Sequence, residues 1–140
     1  MTESLHIENA AALTSVFGRW PSFHDAEVIS IQLDRSGDDG PSLEARVHVF
    51  CMTSDVDARG FFVLTDHTLV SLRFSNLILL NLKWFNAQNS LSDLSVQQVS
   101  PAEHDNRAFR VSFNSNHGVE LELLCDRIAV RSVESFVPTG

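Results

Sequence analysis

From Val28 onward, apolar and polar residues alternate with a period of two, and that alternation constrains the fold more than any other feature of the chain. The clearest run sets Leu43, Ala45, Val47, Val49 and Cys51 against Glu44, Arg46 and His48. Successive side chains of a strand point to opposite faces, so such a run buries one face and wets the other. Val28, Ile31 and Leu33 open the pattern, and the cluster Ser36-Gly37-Asp38-Asp39-Gly40-Pro41 breaks it with turn residues. The polar stretch Thr53 to Gly60 reads as a loop. Thr68 to Phe74 and Leu77 to Phe85 read as strands joined near Ser75-Asn76, and Leu91, Leu94 and Val96 follow before a polar break from Ser100 to Asn106. Phe109, Val111 and Phe113 then pair in pattern with Val119, Leu121, Leu123 and Cys125, across Asn114-Ser115-Asn116-His117-Gly118. That is a hairpin, its turn built from residues that tolerate left-handed backbone, with Arg110 near Glu120 or Glu122. Ile128, Val130 and Val133 make the last strand.

One helix precedes the strands. Ala10, Leu13, Val16 and Phe17 recur at helical spacing, Asn9 stands at the N-cap and Gly18 at the C-cap, and Trp20-Pro21 blocks continuation. The expected fold is therefore α+β: one N-terminal helix packed on a mostly antiparallel, strongly twisted sheet of about seven to eight strands, in a single domain over residues 1–140.

A chain of 140 residues with ten Phe and two Trp can bury a core without a disulfide or metal staple. Ten Lys and Arg against 18 Asp and Glu give a formal charge of -8. This field repels phosphate backbones, which argues against nucleic acid, and favours encounter with a basic protein. Cys51 and Cys125 sit in apolar runs with no CxxC spacing and read as free thiols in a reducing compartment. Met1 to Leu5 carries Glu3 and no basic region, which is not signal-peptide chemistry, and the longest apolar stretch, Leu77 to Leu80, is too short to span a bilayer. The expected location is the cytoplasm, with no membrane contact.

Two segments stand out chemically. In Trp20-Pro21-Ser22-Phe23-His24-Asp25-Ala26-Glu27-Val28, the carboxylates beside His24 suggest a metal site or an acid–base pair. Against this, neighbours on an extended segment point to opposite faces, so His24 and Asp25 do not readily share a ligand. The plainer reading has His24 and Asp25 bonding backbone groups at a turn while Trp20 plugs the core edge. In Trp84-Phe85-Asn86-Ala87-Gln88-Asn89, rings and amides suit a recognition surface. The plainer reading lets one ring close the core while Asn86, Gln88 and Asn89 serve a turn. His6, His24, His48, His67, His104 and His117 show no HxH or HxxxH spacing, and no phosphate-binding or nucleophile motif occurs, so neither a cofactor nor a catalytic residue is expected.

The string Trp20-Pro21-Ser22-Phe23-His24-Asp25-Ala26-Glu27-Val28 resembles the N-terminal pattern of the immunity protein 50 family. The stretch from Leu72-Arg73-Phe74 through Phe85-Asn86-Ala87-Gln88-Asn89 to Leu94 is similar to that family's second half, and the likeness runs from about Phe17 to about Val133. The resemblance implies a small α+β protein of a bacterial polymorphic toxin system, which neutralises a cognate toxin by stoichiometric binding rather than by catalysis. It carries over no catalytic residues and does not identify the toxin. The acidic charge fits a basic toxin, of which a nuclease is one class.

Three functional expectations follow. An immunity-type binder would use the motif residues Trp20, Pro21, Phe23, His24, Asp25, Glu27, Phe85, Asn86, Gln88 and Asn89, or an acidic surface at one end of the sheet from Asp38, Asp39, Glu44, Asp55 and Asp57. A small metal-dependent hydrolase would gather ligands around His24, Asp25 and Glu27. A structural protein would pair a sheet edge, for which Leu77 to Leu82 is the candidate, into a homodimer; the chain is otherwise a monomer.

Overall fold

Each alternating run becomes a strand because its polar face can be wetted while its backbone pairs with a neighbour. The computed structural model describes residues 7–137, apart from the side chains of Met52, Thr53 and Phe62. Met1 to Leu5 and His6 lie outside the described residues. In chain order the elements are β1 (Ile7–Glu8), α1 (Ala10–Phe17), β2 (Glu27–Asp34), β3 (Ser42–Val56), β4 (Phe62–Ser75), β5 (Ile78–Lys83) and β6 (Ser90–Gln98). A single 3-10 turn (Pro101–Glu103) precedes β7 (Phe109–His117), β8 (Glu120–Cys125) and β9 (Arg127–Ser135).

All nine described strands belong to one sheet, in the order β1-β9-β4-β3-β2-β6-β7-β8-β5. Every pair is antiparallel except β1 with β9, so the sheet is mixed. The expectation of seven to eight strands fell short by the two-residue β1, which is too brief to leave a periodic signal.

Two short links dictate the shape. Asn76 and Leu77 alone separate β4 from β5, and Asp126 alone separates β8 from β9, yet these partners lie far apart in the strand order. So few residues span only about 10 Å. The sheet must therefore double over, placing β6, β7, β8 and β5 against β1, β9, β4, β3 and β2. Between the halves lies one core, in which Phe74 of β4 meets Phe113 of β7 edge-to-face at 6.0 Å. The corner links are bonded together: Asn76 Nδ2 donates to Asp126 Oδ2 (2.6 Å), the Asp126 N–H to the Ser75 carbonyl (3.1 Å), and Arg107 Nε to the Asn76 carbonyl (3.0 Å).

The helix forms where expected and packs against β9 and β4, but only Leu13 is fully buried. The core is thus made by the sheet against itself, not by the helix against the sheet. Gly18 ends the helix in left-handed backbone (φ 77°), its N–H on the Thr14 carbonyl at 2.7 Å. Asn9 occupies the N-cap without a side-chain cap bond; its amide instead donates to the Val130 carbonyl of β9 (3.1 Å). The expected loop Thr53 to Gly60 is shorter than its polarity suggests. Cross-strand pairing carries β3 to Val56 and starts β4 at Phe62, and Asp57 Oδ1 closes the tip by accepting the Arg59 and Phe61 N–H groups. Arg110 pairs with Glu122, through Nε at 2.8 Å and Nη2 at 2.5 Å. Among the described residues no helix is long and apolar enough to cross a membrane.

Because Phe113 bridges the two halves, Phe113→Ala is expected to cost about 3–5 kcal/mol in urea unfolding, whereas Val16→Ala on the exposed helix face should stay within about 0.5 kcal/mol.

Candidate functional site

Between the corner links on one side and the open strand edges on the other, the halves of the sheet meet at β2 and β6, and here the ladder has a single register pair, Glu27 with Ser90. The segment before β2 prepares this seam. Trp20 packs edge-to-face on Phe23 at 5.7 Å, and the Phe23 side chain is buried. Phe23 and Asp25 both have left-handed backbone (φ 64° and 63°), a conformation that costs a non-glycine residue about 1–3 kcal/mol. Burial of the Phe23 ring offsets that strain, and the reward is a tight reversal in which the Ala26 N–H reaches the Phe23 carbonyl (3.1 Å). The reversal aims the backbone across the seam. Asp25 N–H donates to the Leu91 carbonyl (2.8 Å), Leu91 N–H to Ala26 (2.9 Å) and Val28 N–H to Asn89 (2.9 Å).

The other side of the seam is the second unusual segment. The Asn89 side chain is 3% exposed, and every polar group on it is used. Its Oδ1 accepts the N–H groups of Asn86 (2.9 Å) and Val119 (3.2 Å), and its Nδ2 donates to the carbonyls of Asn86 (2.7 Å) and Val28 (3.4 Å). Its backbone N–H donates to Glu27 Oε2 at 2.6 Å, a charge-assisted bond that joins the two segments directly. Asn86 Oδ1 accepts the Gln88 N–H and Asn86 Nδ2 donates to the Trp84 carbonyl, so the loop is wired from end to end. Gly118 closes the third side: its φ is 75°, and a Cβ there would lie 2.1 Å from the Gln88 carbonyl oxygen.

What faces water beside this seam differs from the plainer expectation. Neither ring of the second segment closes the core. Trp84 is 69% exposed, with φ 66°, and Phe85 is 46% exposed. Asn86 and Asn89 do serve the turn, as expected, while the Gln88 side chain is exposed. His24 and Asp25 also differ from the alternation argument. The chain turns there instead of running extended, so His24 Nε2 lies 3.5 Å from Asp25 Oδ2. Asp25 Oδ1 accepts from Asn116 Nδ2 (3.4 Å), and His24 Nδ1 lies 3.0 Å from the Ser92 carbonyl.

The hydrolase arrangement requires a third ligand. Among the described residues no group of three or more His, Cys, Asp or Glu side chains converges to hold a metal, and Glu27 is turned to Asn89. His24 and Cys51 line one shallow cleft with Phe17, Arg19, Pro21, Ser22 and Phe50. Burial, and then the Asp66 carboxylate, push the Cys51 thiol up, the opposite of what an activated nucleophile needs. Burial pushes the Cys125 thiol up to about 12. Both cysteines are free.

The acidic residues do not form one end of the sheet. Asp38 and Asp39 sit before β3, where Asp39 pairs with Arg73 (3.2 Å) in a cleft shared with Glu8, Arg127 and Arg131. Asp55 and Asp57 lie at its other end, across a 15-residue strand of about 45 Å. Glu44 lies between them on β3, opposite Arg73 in register. Local loop composition could not reveal that β3 runs through the length of the molecule.

The pairing of these two segments is therefore a property of the fold. Residues 9–136 match the family described as Immunity protein 50. The chain belongs to that family. No curated protein and no solved structure gives a significant match. In this member of the immunity protein 50 family, the distinctive Trp-Pro-Ser-Phe-His-Asp string builds the β2 side of the seam, and the Trp-Phe-Asn-Ala-Gln-Asn string builds the β6 side.

Asn89→Ala would strand the buried Val119 N–H and loosen the Asn86 turn, for an expected loss of about 2–4 kcal/mol at about 1–3 kcal/mol per orphaned group. His24→Ala, at a largely exposed side chain, should change stability by less than about 0.5 kcal/mol. Thermal unfolding of the two variants side by side checks both values.

Proposed function

We propose that this chain neutralises a cognate toxin by stoichiometric binding, without catalysis of its own, and that it meets the toxin at the seam. Membership of the immunity protein 50 family supports the toxin-neutralising role. The observation that carries the choice of surface is the pair Trp84 and Phe85, exposed side by side on a loop that Asn86 and Asn89 hold rigid. Large rings held in place lose little entropy on binding and dominate interface energies. A bulky residue in left-handed backbone and facing water is an expensive arrangement for a fold to keep, and such outliers concentrate at functional surfaces. In this reading Gln88 on the same loop, with His24 and Asp25 on the β2 side of the seam, supplies polar contacts, while Trp20, Pro21, Phe23, Glu27 and Asn89 support the two segments. The acidic residues Asp38, Asp39, Glu44, Asp55 and Asp57 act in this reading through the field of the whole molecule. They draw in a basic toxin, a nuclease being one class, rather than forming the contact themselves.

Calorimetric titration against the products of neighbouring toxin-like genes tests the assignment. Trp84→Ala should weaken binding by about 30-fold or more, as loss of a hot-spot ring does, without changing the unfolding temperature. Unaltered affinity in the Trp84→Ala, Phe85→Ala double variant would move the contact to another surface.

A second reading has one observation in its favour. Strand β5 is the terminal strand of the sheet, and Leu80, 45% exposed, projects from it. An edge of this kind can pair with a second copy. Light scattering over a concentration series should then give a dimer for the native chain and a monomer for Leu80→Lys. A native monomer at every concentration removes the homodimer.

A further inference from the structure

Two imidazoles far apart in sequence face each other on the doubled sheet. His48 Nε2 of β3 lies 2.9 Å from His67 Nδ1 of β4, with the rings stacked at 5.1 Å. Aromatic side chains wall the pair in: Phe136 lies 4.7 Å from the His48 ring, and Phe50 lies 5.5 Å from His48 and 5.9 Å from His67. Phe136, just past β9, also donates its N–H to the His67 carbonyl at 3.0 Å. At 2.9 Å one nitrogen must carry the proton and the other must offer a lone pair. Two neutral rings satisfy this, as does one neutral ring with one imidazolium. Two imidazolium rings cannot, because both nitrogens are then donors carrying like charge.

We propose that the His48–His67 pair is a pH-sensitive fastening for the C-terminal end of β9. Near neutral pH the imidazole bond holds the two rings together and gives Phe136 its seat. In acid, the second protonation parts the rings, and Phe136 with the end of β9 comes away from β4.

The surroundings bear on how readily that second proton binds. Glu27 of β2 is opposite His48 in register, and Glu134 of β9 shares the row through Leu69. Asp66 precedes His67 in β4, and Arg46 lies two residues before His48 on the same face of β3. Of these carboxylates Glu27 is already committed to the Asn89 N–H, and Asp66 lies near Cys51. Burial, and then the charge of His67, hold His48 below the ordinary histidine value. Above about pH 6.5 the imidazole is neutral whether the chain is folded or not, and the pair carries no penalty. As pH falls through that value the unfolded chain takes its proton first, so stability declines until pH has passed the lowered folded value, where the loss is complete.

Amide exchange at Phe136 reads the device directly. Corrected for intrinsic rate, its protection in the native chain should fall about tenfold or more between neutral pH and about pH 5. His48→Phe keeps an aromatic ring against Phe136 but removes the titration, and its Phe136 protection should not change over that range. A native chain with constant protection, or a variant that loses protection as steeply as the native chain, overturns the proposal. Should His48→Phe fail to fold, the ring carbon-bound proton resonances of the native chain decide: two coupled, separated titration steps support the fastening, and two independent ordinary titrations refute it.

Discussion

The bond between the Asn89 N–H and the Glu27 carboxylate is the contact on which the arrangement of this molecule turns. Apart from the two-residue β1, the other strands are held by longer ladders, but at β2 and β6 regular pairing shrinks to one register pair. What replaces the ladder is a set of side-chain and irregular backbone bonds centred on Asn89. A buried amide with all its groups satisfied can hold such a seam because each bond, if broken, would leave an orphaned donor or acceptor away from water. Phe23 and Asp25 adopt unfavourable backbone for the same end, and the buried Phe23 ring secures it.

The seam also explains how the molecule can be both rigid and exposed at one place. A doubled sheet needs its core between the halves, and the two corner links bring β5 and β8 over β4 and β9. The loop from Trp84 to Asn89 has to leave β5 at an edge and enter β6 at the seam, crossing the end of the structure. Its Asn89 amide points inward to hold the seam, and its rings are left outside. This places large aromatic surface on a support fixed by the Asn86 and Asn89 hydrogen bonds.

Reading the sequence recovered the helix, its glycine terminus and the β7–β8 hairpin, because each rests on neighbours along the chain. It also singled out both segments of the seam by their odd composition, though not the fact that they touch: Glu27 and Asn89 are 62 residues apart. An aromatic residue at the end of an apolar run is usually buried, which favours one of Trp84 and Phe85 closing the core, yet both rings face water. A turn at His24 and Asp25 is legible from the proline and polar residues around it, but nothing in the sequence warns that Phe23 and Asp25 accept left-handed backbone there. The acidic residues were grouped as one end of the sheet because both loops flank β3, and only the full length of that strand separates them. The His48–His67 contact left no trace in spacing, as it depends on the register of two long strands across a bulge.

By itself, the sequence determined that the chain would be built of antiparallel strands with one leading helix, because period-two and period-3.6 patterns are local consequences of which face meets water. It determined the acidic field and the two distinctive strings. The tertiary structure decided that the sheet closes on itself, that the two strings become opposite sides of one seam, and that Trp84 and Phe85 remain outside it. Those outcomes depend on which residues meet across long loops of chain, and such meetings are chosen by the satisfaction of buried polar groups and the filling of a shared core, neither of which is written in any one stretch of sequence.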